Sequence, residues 1–339
     1  MKGWNGRSRR KAGGAGSAWK LNPGVPLRKP DEGDVLVSAS IGPDGDLVAL
    51  WSNPGDEAAL RSVTTQPGWA TFPNPTTERP VVARSSRQTG ERIDITPLPG
   101  LTLAHPSLQP LPQGRVLVVG ARCRWRPDGP DHNAVIYDSD GNVEAEATLG
   151  DGIEHMFTTT SGEVWVGYFD EGVYGNYGWG NSDTPPPIGA TGLIRFTPEL
   201  KPGWKFPSHV DNGWGAISDC YALNVTDDTV WTCYYTDFPI VRVSGDEVTG
   251  WRNPIDGATA LTISGDRIGL LGGYGHERHR FVVGALDGEA MRVIGEYQLV
   301  LPDGAPLPPR VTAVGRGPVL HLITADRWYQ VNLQDACGG

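Results

Sequence analysis

The sequence predicts an all-β fold, a six-bladed β-propeller of four-stranded antiparallel blades in which an N-terminal strand closes the ring. Three observations predict it. An apolar hairpin recurs six times, a second hairpin follows each copy, and the second hairpins recur at the spacing of propeller blades. Gly and Pro are abundant, at 46 and 29 residues, and β-branched and aromatic residues are spread along the chain, which favours many short strands joined by turns.

Each first hairpin consists of an apolar strand, a tight polar turn and a strongly apolar strand. The turns are of the Ser-Gly, Asp-Gly and Asp-Asp type, which is the chemistry that antiparallel hairpins need. The pattern therefore predicts the two innermost strands of each blade. The six copies occupy residues 35–51, 107–120, 155–168, 221–234, 260–273 and 311–323.

The second hairpins set the period of the repeat. They begin at residues 80, 134, 192, 239, 281 and 328, at intervals of 42 to 58 residues. Four-stranded propeller blades run at about 40–50 residues each, so these starts predict six blades. Two stacked sandwiches are the alternative that short strands alone allow, and the regular pairing of hairpins favours the propeller.

The sixth blade lacks an outer strand, because few residues follow the segment 328–333. The N-terminal segment offers one. Its A-W-K-L-N-P, residues 18–23, resembles G-W-K-F-P at 203–207 and G-W-R-N-P at 250–254, which are both predicted outer strands. We therefore expect the strand of Trp19 to pair with the last blade and close the ring, since closure removes the unpaired sheet edges.

The charge is unevenly distributed. The chain has a net charge of −10, yet residues 1–30 carry eight Lys or Arg and no acid, which leaves 21 basic against 39 acidic residues, or −18, for the remainder. Such a body would repel a phosphate backbone, so nucleic-acid binding is disfavoured for the folded part. We expect residues 1–16 to be a disordered, solvated basic leader, with contact to nucleic acid or acidic lipid as the alternative. Residues 17–339 should form the single propeller domain.

Targeting signals are weak. The pair Arg9-Arg10 is similar to part of a twin-arginine export signal, but no apolar segment follows it. No run of 18 apolar residues occurs, so no membrane span is predicted. The four cysteines form no C-x-x-C motif, and a cytoplasmic location is predicted.

One face of the propeller is predicted to carry the functional site. In a propeller blade the start of the innermost strand and the end of the second strand emerge on the same face. The segments predicted there are long and contain six of the seven His, whereas the turns on the other face are short and plain. We therefore predict a small-molecule or protein ligand site at this mouth of the central channel, with the insertion at residues 52–77 as a lid. The predicted ligand residues are His105, Arg122, Glu154, His155, Asp170, Asp219, Tyr235, Asp237 and His276.

The dipeptide Glu154-His155 opens an innermost strand. Strand side chains alternate, so one of the two should face the channel. Glu154 and Asp219 are predicted as ligands of one divalent metal, Ca²⁺ or Zn²⁺. A hydrogen-bonded pair that fixes adjacent blades is an equal alternative.

The other charged motifs also have two interpretations each. Arg122, with Arg124 and Arg126, would either clamp an anion or pair with Asp131, Asp170 or Glu171. Asp170 and Asp237 lie at equivalent positions of adjacent blades, where they would act in acid–base chemistry, bind a cation or cap loops. The run from His276 to His279 would contact a metal or a phosphate, or would simply be solvated.

Several segments between Gly150 and Pro239 carry a resemblance to known proteins. D-G-I-E-H, F-D-E-G-V-Y-G-N-Y-G-W-G, D-C-Y-A-L-N-V and Y-Y-T-D-F-P resemble a set of uncharacterised bacterial six-bladed β-propeller proteins. The four-stranded blades resemble the broad YVTN, NHL and SMP-30-like class. The resemblance implies the fold but carries no activity. SMP-30-like lactonases hold a divalent metal at this mouth with Glu, Asn and Asp. Glu154 and Asp219 match two of these ligands, and no matching Asn is found.

Two functions from different classes follow. The first is a binding module that presents an acidic and aromatic mouth to its ligand. The second is a metal-dependent lactonase-like hydrolase or lyase with its site at the same mouth. The absence of G-x-S-x-G, Walker, dinucleotide-binding and H-E-x-x-H motifs favours the first, and the clustering of His and carboxylates favours the second.

Overall fold

The computed structural model describes residues 17–66, 69–86, 89–207 and 214–337. It has the predicted architecture of six four-stranded antiparallel blades in a ring. The predicted leader, residues 1–16, and His209 lie outside the described residues. No helix within the described residues is long and apolar enough to cross a membrane.

The strands follow the chain blade by blade. Two short strands come first, β1 (Ser17–Lys20) and β2 (Val25–Pro26). Blade one begins with β3 (Val35–Ile41) and β4 (Leu47–Ser52). An insertion then forms helix α1 (Pro54–Leu60) and a hairpin of β5 (Thr64–Gln66) and β6 (Trp69–Thr71). The blade is completed by β7 (Val81–Ser85) and β8 (Arg92–Pro97).

Blades two to four have the same plan. Blade two contains β9 (Pro106–Pro110), β10 (Val116–Gly120), β11 (Ala134–Tyr137) and β12 (Val143–Ala147). Blade three contains β13 (Ile153–Thr158), β14 (Val164–Tyr168), the short helix α2 (Asp170–Tyr174), β15 (Leu193–Phe196) and β16 (Pro202–Lys205). Blade four contains β17 (Asp219–Val225), β18 (Val230–Tyr235), β19 (Ile240–Ser244) and β20 (Glu247–Trp251).

The last two blades take up the C-terminal third. Blade five contains β21 (Ala258–Ser264), β22 (Arg267–Gly272), β23 (Arg280–Asp287) and β24 (Ala290–Val300). Blade six contains β25 (Thr312–Arg316), β26 (Val319–Ile323) and β27 (Arg327–Asn332). Short 3-10 turns occupy Pro112–Gly114, Gly275–Glu277 and Leu333–Cys337.

The innermost strands form a continuous ring around the channel. Each contacts the innermost strand of the next blade, in the order β3, β9, β13, β17, β21, β25 and back to β3. The ring is therefore closed, as predicted.

The N-terminal segment closes the ring, but with different residues from those predicted. Strand β2 pairs antiparallel with β27, with Val25 opposite Trp328, and so supplies the fourth strand of blade six. The expectation that Trp19 makes this contact is wrong. Strand β1 pairs parallel with β24 as a fifth strand of blade five. The Trp19 ring packs edge-on against Phe281 and Tyr297, at centroid distances of 6.0 and 5.0 Å, and this pocket draws β1 to blade five.

Buried apolar layers hold adjacent blades together. All six residues of β4 are buried, and the largest fully buried side chains include Trp51, Tyr168 and Trp328. Trp231 stacks on Trp251 at 5.6 Å, so these tryptophans pack within the blade. Burial of aromatic side chains of this size dominates the stability of such interfaces.

Side chains from neighbouring blades satisfy the carbonyls of the innermost strands. A sheet edge leaves backbone groups without partners, and a buried unpaired group is costly. Gln109 donates to the carbonyl of Ile41 at 3.2 Å, and Thr158 donates to that of Pro110 at 2.8 Å. Asn224 donates to the carbonyls of Leu261 and Gly317 at 2.9 and 3.0 Å, and Arg316 reaches across to Thr158. These hydrogen bonds hold the innermost strands of different blades together, and those strands form the wall of the channel.

Candidate functional site

The two faces of the ring differ as the sequence predicts. The innermost hairpin turns on one face are tight, for example at Gly45 and Gly162, whose φ values of 84° and 90° favour glycine. The other face carries the long connections that follow β4, β10 and β14. We call this face the mouth.

A cavity of about 440 Å³ opens at the mouth within the ring of innermost strands. Five of the six blades contribute to its wall, and the exception is blade four. Three predicted residues, His105, Glu154 and His155, line it. Its other polar lining residues are Ser38, Ser40, Arg61, Ser107, Thr259 and Thr312.

Glu154 and His155 occupy the start of β13, next to a register shift in the pairing of β13 with β14. The Glu154 side chain is exposed at the cavity. His155 Nε2 lies 3.0 Å from the carbonyl oxygen of Tyr221. His155 therefore ties blade three to blade four, while Glu154 is available to a ligand.

Asp219 begins β17 of the adjacent blade. Burial raises the pKa of its carboxyl to about 6, and the nearby charges of Asp170 and Glu154 raise it further in the same direction. Asp170 and Glu154 are thus each close enough to Asp219 to repel its charge. Within the described residues, no group of three or more His, Cys, Asp or Glu is arranged to hold a metal ion. The predicted metal at Glu154 and Asp219 stays a prediction.

His105 has a strained backbone at the rim of the cavity. Its φ is 50°, in the left-handed region, and its N–H donates to the carbonyl of Leu60 at 2.7 Å. The ring packs edge-on against Phe72 at 5.4 Å. Burial lowers the pKa of the imidazole, so His105 is neutral near pH 7.

Arg122 is enclosed by the protein. Its guanidinium makes a two-pronged ion pair with Asp151, with both distances at 2.9 Å, and contacts Glu171 at 2.6 Å. It also lies over the ring of Phe72, 4.8 Å from the centroid. Of the predicted partners Glu171 pairs with Arg122, while Asp131 pairs with Arg126, and the main partner Asp151 was not predicted. The anion-binding role of Arg122 stays a prediction. Arg122 links blade two to blade three and, through Phe72, to the insertion of blade one.

The remaining predicted residues lie around the mouth, outside the cavity. Asp170 begins α2, and Tyr235 lies opposite Asp219 in the pairing of β17 with β18. Asp237 is exposed in the turn after β18, and His276 is exposed in the Gly275–Glu277 turn of blade five. The structure brings Asp170 and Tyr235 towards Asp219, and it leaves His276 in the connection of blade five.

An aromatic cluster adjoins the acidic residues. The ring of Phe238 contacts Tyr221, Tyr235 and Tyr274 at centroid distances of 4.9, 5.8 and 6.4 Å. The Tyr174 hydroxyl forms a hydrogen bond of 2.6 Å with the hydroxyl of Ser218, the residue before Asp219. We call Tyr174, Tyr221, Tyr235 and Tyr274 the tyrosine surface. Of these four residues, only Tyr235 is among the predicted ligand residues.

Arg61 is the main cavity residue that the sequence analysis does not identify. It follows α1 in the insertion, pairs with Glu57 at 2.8 Å and donates to the carbonyl of Val37. The (i, i+4) spacing of Glu57 and Arg61 on a helix was the available signal. The insertion predicted as a lid lies against the mouth, where Phe72 N–H donates to Tyr177 Oη at 3.3 Å.

A second groove lies on the outside of the ring. It has a volume of about 540 Å³ and runs between the N-terminal segment and blades five and six. Prolines form much of its wall, including Pro23, Pro302, Pro306 and Pro308. We favour the smaller cavity at the mouth as the ligand site, because polar side chains converge there from several blades.

Comparisons with known proteins find one family model that matches a short part of the chain and several solved structures of low similarity. The YxzG family model matches residues 208–272, about a fifth of the chain, which spans blade four and the first hairpin of blade five. No curated protein matches the chain. The predicted likeness to the YVTN, NHL and SMP-30-like class stays a prediction.

Solved propeller structures resemble the chain over most of its length. Kluyveromyces lactis Hsv2 is 10% identical, with 88% of this chain and 74% of that chain covered and a TM-score of 0.45. An inactive virginiamycin B lyase from Staphylococcus aureus, solved with quinupristin, is 14% identical, with coverage of 91% and 98% and a TM-score of 0.41. The Neurospora crassa Pan2 WD40 domain is 11% identical, with coverage of 87% and 88% and a TM-score of 0.42. At these identities the likeness concerns the fold alone.

Proposed function

We propose that the protein is a binding module that receives a small-molecule or protein ligand at the mouth carrying Glu154. The observation that supports this most is the cavity of about 440 Å³, which His105, Glu154 and His155 help to line. Ligand pockets typically have volumes of about 300–1,000 Å³ and combine apolar walls with a few convergent polar groups. This cavity has both properties.

The cavity wall suits a polar ligand. Hydroxyl groups of Ser38, Ser40 and Thr312 both donate and accept hydrogen bonds. Arg61 supplies a cation and Glu154 a carboxylate on the same wall. A ligand with hydroxyl, amide or zwitterionic groups would therefore find partners on several sides.

A thermal-shift screen with a library of polar metabolites tests this proposal. A ligand that binds only the folded state raises the melting temperature by mass action. Glu154→Gln and the cavity-filling Ala313→Leu should weaken the shift of each true ligand, whereas Glu144→Gln on outer strand β12 should leave it unchanged. Shifts of equal size in all four proteins would count against a site at this mouth.

A metal-dependent lactonase-like hydrolase or lyase is the second candidate. Glu154 and Asp219 support it, because the negative charge of Glu154 acts on the Asp219 carboxyl, and a divalent cation bound between them would neutralise both. The candidate then requires one divalent metal held by Glu154 and Asp219. Ca²⁺, Zn²⁺, Mn²⁺ or Mg²⁺ should raise the melting temperature, and Glu154→Gln with Asp219→Asn should abolish the rise. Four unchanged melting curves would exclude this candidate and leave the binding module.

A further inference from the structure

The tyrosine surface is an exposed aromatic area to which three blades contribute. Tyr174 ends α2 in blade three, Tyr235 ends β18 in blade four, and Tyr274 follows β22 in blade five. These side chains are 67%, 45% and 56% exposed. Large apolar groups that gather in the open on a folded protein mark interaction surfaces. The three rings therefore point to a partner that covers them.

Buried Phe238 joins the rings of this surface. It is 4% exposed and contacts Tyr221, Tyr235 and Tyr274 in edge-to-face pairs, with 67–89° between the ring planes. Its φ of 52° lies in the left-handed region, which is costly for an aromatic residue, and such strain clusters at binding sites. Because the rings meet edge to face and are not stacked, Tyr235 and Tyr274 keep exposed ring surface for a further partner.

The surface carries negative charge as well as aromatic rings. Asp219 lies opposite Tyr235 in the pairing of β17 with β18. Two further carboxylates, Asp170 and Glu154, act on the Asp219 carboxyl. Residues 31–339 hold 39 acidic and 21 basic side chains, so the folded body as a whole is acidic. A partner that approaches this surface therefore gains most from positive charge.

Arginine side chains match both properties. A guanidinium stacks on an aromatic ring and at the same time pairs with a carboxylate. The protein already contains one such arrangement, because Arg122 lies over Phe72 at 4.8 Å and pairs with Asp151 at 2.9 Å. An arginine of another protein would find the same two groups, a ring and a carboxylate, at Tyr235 and Asp219.

The extent of the surface favours a peptide segment over a single small cation. At one end the Tyr174 hydroxyl bonds Ser218 at 2.6 Å, and at the other the Tyr274 ring lies 6.4 Å from that of Phe238. A cation stacks on a ring only within about 6 Å of its centroid, so one cation cannot cover all of these rings. In an extended segment every second side chain points the same way, at a spacing of about 6.6 Å. Alternate arginines can therefore reach successive rings.

We propose that the tyrosine surface binds an extended, arginine-containing segment of a protein partner, with guanidinium groups on Tyr235 and Tyr274 and an ion pair to Asp219. The inference goes beyond the proposed function and does not depend on it, because these three residues lie outside the lining of the mouth cavity.

Fluorescence anisotropy of a labelled peptide of alternating Arg and Gly tests this inference, with the full chain added up to about 100 μM. The wild type should bind this peptide and should not bind the same peptide with Ser in place of Arg. Tyr235→Ser with Tyr274→Ser should weaken binding by about tenfold, because two stacked cations are lost. Asp219→Asn should weaken it as well. Tyr235→Phe with Tyr274→Phe keeps the rings and should bind within about twofold of the wild type.

Two further variants are controls that should bind like the wild type. Ile93→Ser removes a 50% exposed apolar side chain from outer strand β8. Ala313→Leu fills the mouth cavity, so unchanged peptide binding in this variant separates the tyrosine surface from the proposed ligand site.

Three results would overturn the proposal. The first is that the arginine peptide does not bind the wild type. The second is equal binding by the wild type and the double Ser variant, which would show only general attraction to an acidic protein. The third is an equal loss in the Ser and Phe double variants, which would assign the contact to the hydroxyl groups and not to the rings. Both tyrosines are exposed, so the variants should fold, and circular dichroism melts check this.

Discussion

Val25 lies opposite Trp328 in the antiparallel pair that closes the ring, so closure and the packing of Trp19 are separate features of the N-terminal segment. Removal of residues 1–16 should leave the melting temperature unchanged. Removal of residues 1–22 should lower it by several degrees, because the contacts of Trp19 and buried Leu21 are lost. Removal of residues 1–27 should lower the melting temperature much further, because β27 then becomes a sheet edge without a partner strand.

Circular dichroism melts of the three truncations measure these differences. If the deletions to residues 22 and 27 are equally damaging, β1 rather than β2 completes the ring. If both are harmless, the N-terminal segment does not close it.

Asn224 joins three blades from a fully buried position. Its amide bonds the carbonyls of Leu261 and Gly317, and the N–H of Gly317 donates back to it at 2.9 Å. Asn224→Ala should lower the free energy of unfolding by about 2–4 kcal/mol, because it leaves buried backbone groups unpaired. Exposed Asn142, which bonds only Asp138 in its own turn, provides the control. Denaturant unfolding should show little change for Asn142→Ala, and an equally small change for Asn224→Ala would refute the bridging role.

Asp219 should make stability fall with rising pH. Its folded-state carboxyl pKa is raised from 3.8 to about 6, first by burial and then by Asp170 and Glu154. The folded protein therefore holds the proton more tightly than the unfolded chain, and the free energy of unfolding declines between about pH 4 and pH 6. Above pH 6 the ionised Asp219 lowers the free energy of unfolding by about 1 kcal/mol, a value that allows for solvent screening of this half-exposed group.

Asp219→Asn removes this cost. The variant should be more stable than the wild type at pH 7 and equally stable below about pH 4. The matched control is Asp287→Asn, which makes the same replacement at an exposed residue of strand β23. Parallel stability curves for wild type and Asp219→Asn across this range would contradict the electrostatic account of the mouth.

The three cysteines buried in the blades should be unreactive in the folded protein. Burial raises the thiol pKa of Cys123, Cys220 and Cys233 to about 12 in each case. The thiolate is the reactive form, so iodoacetamide at pH 8 should label these residues only after unfolding. Mass spectrometry of alkylated peptides measures this. Rapid labelling of any of the three in the native protein would mean that its blade opens far more often than the packing implies.

The blade boundaries were predictable because they depend on local chemistry. The third strands begin at Val81, Ala134, Leu193, Ile240, Arg280 and Arg327, each within one residue of the start that the hairpin repeat predicts. Turn residues and apolar alternation lie within a few positions of one another, so one sequence suffices to locate them. The partner of β1 was not predictable in this way, since the pocket of Phe281 and Tyr297 forms only when distant strands meet.

The candidate site likewise combines residues that the local repeat locates with contacts that depend on distant strands. His105, Glu154 and His155 reach the cavity because they occupy the start of an innermost strand or the position before it, which the repeat locates. Arg61 lies in an insertion that no other blade contains. The pairing of Arg122 with Asp151 depends on how blades two and three pack, and the sequence alone left its partner open.

A crystallographic fragment screen tests the central claim most directly, because it reveals where this surface binds ligands without assuming their identity. The account predicts that bound fragments concentrate in the mouth cavity, in contact with Glu154, His105 and Arg61. Fragments that collect in the outer groove beside Tyr329, or at the opposite opening of the channel, with the mouth cavity left empty, would contradict it.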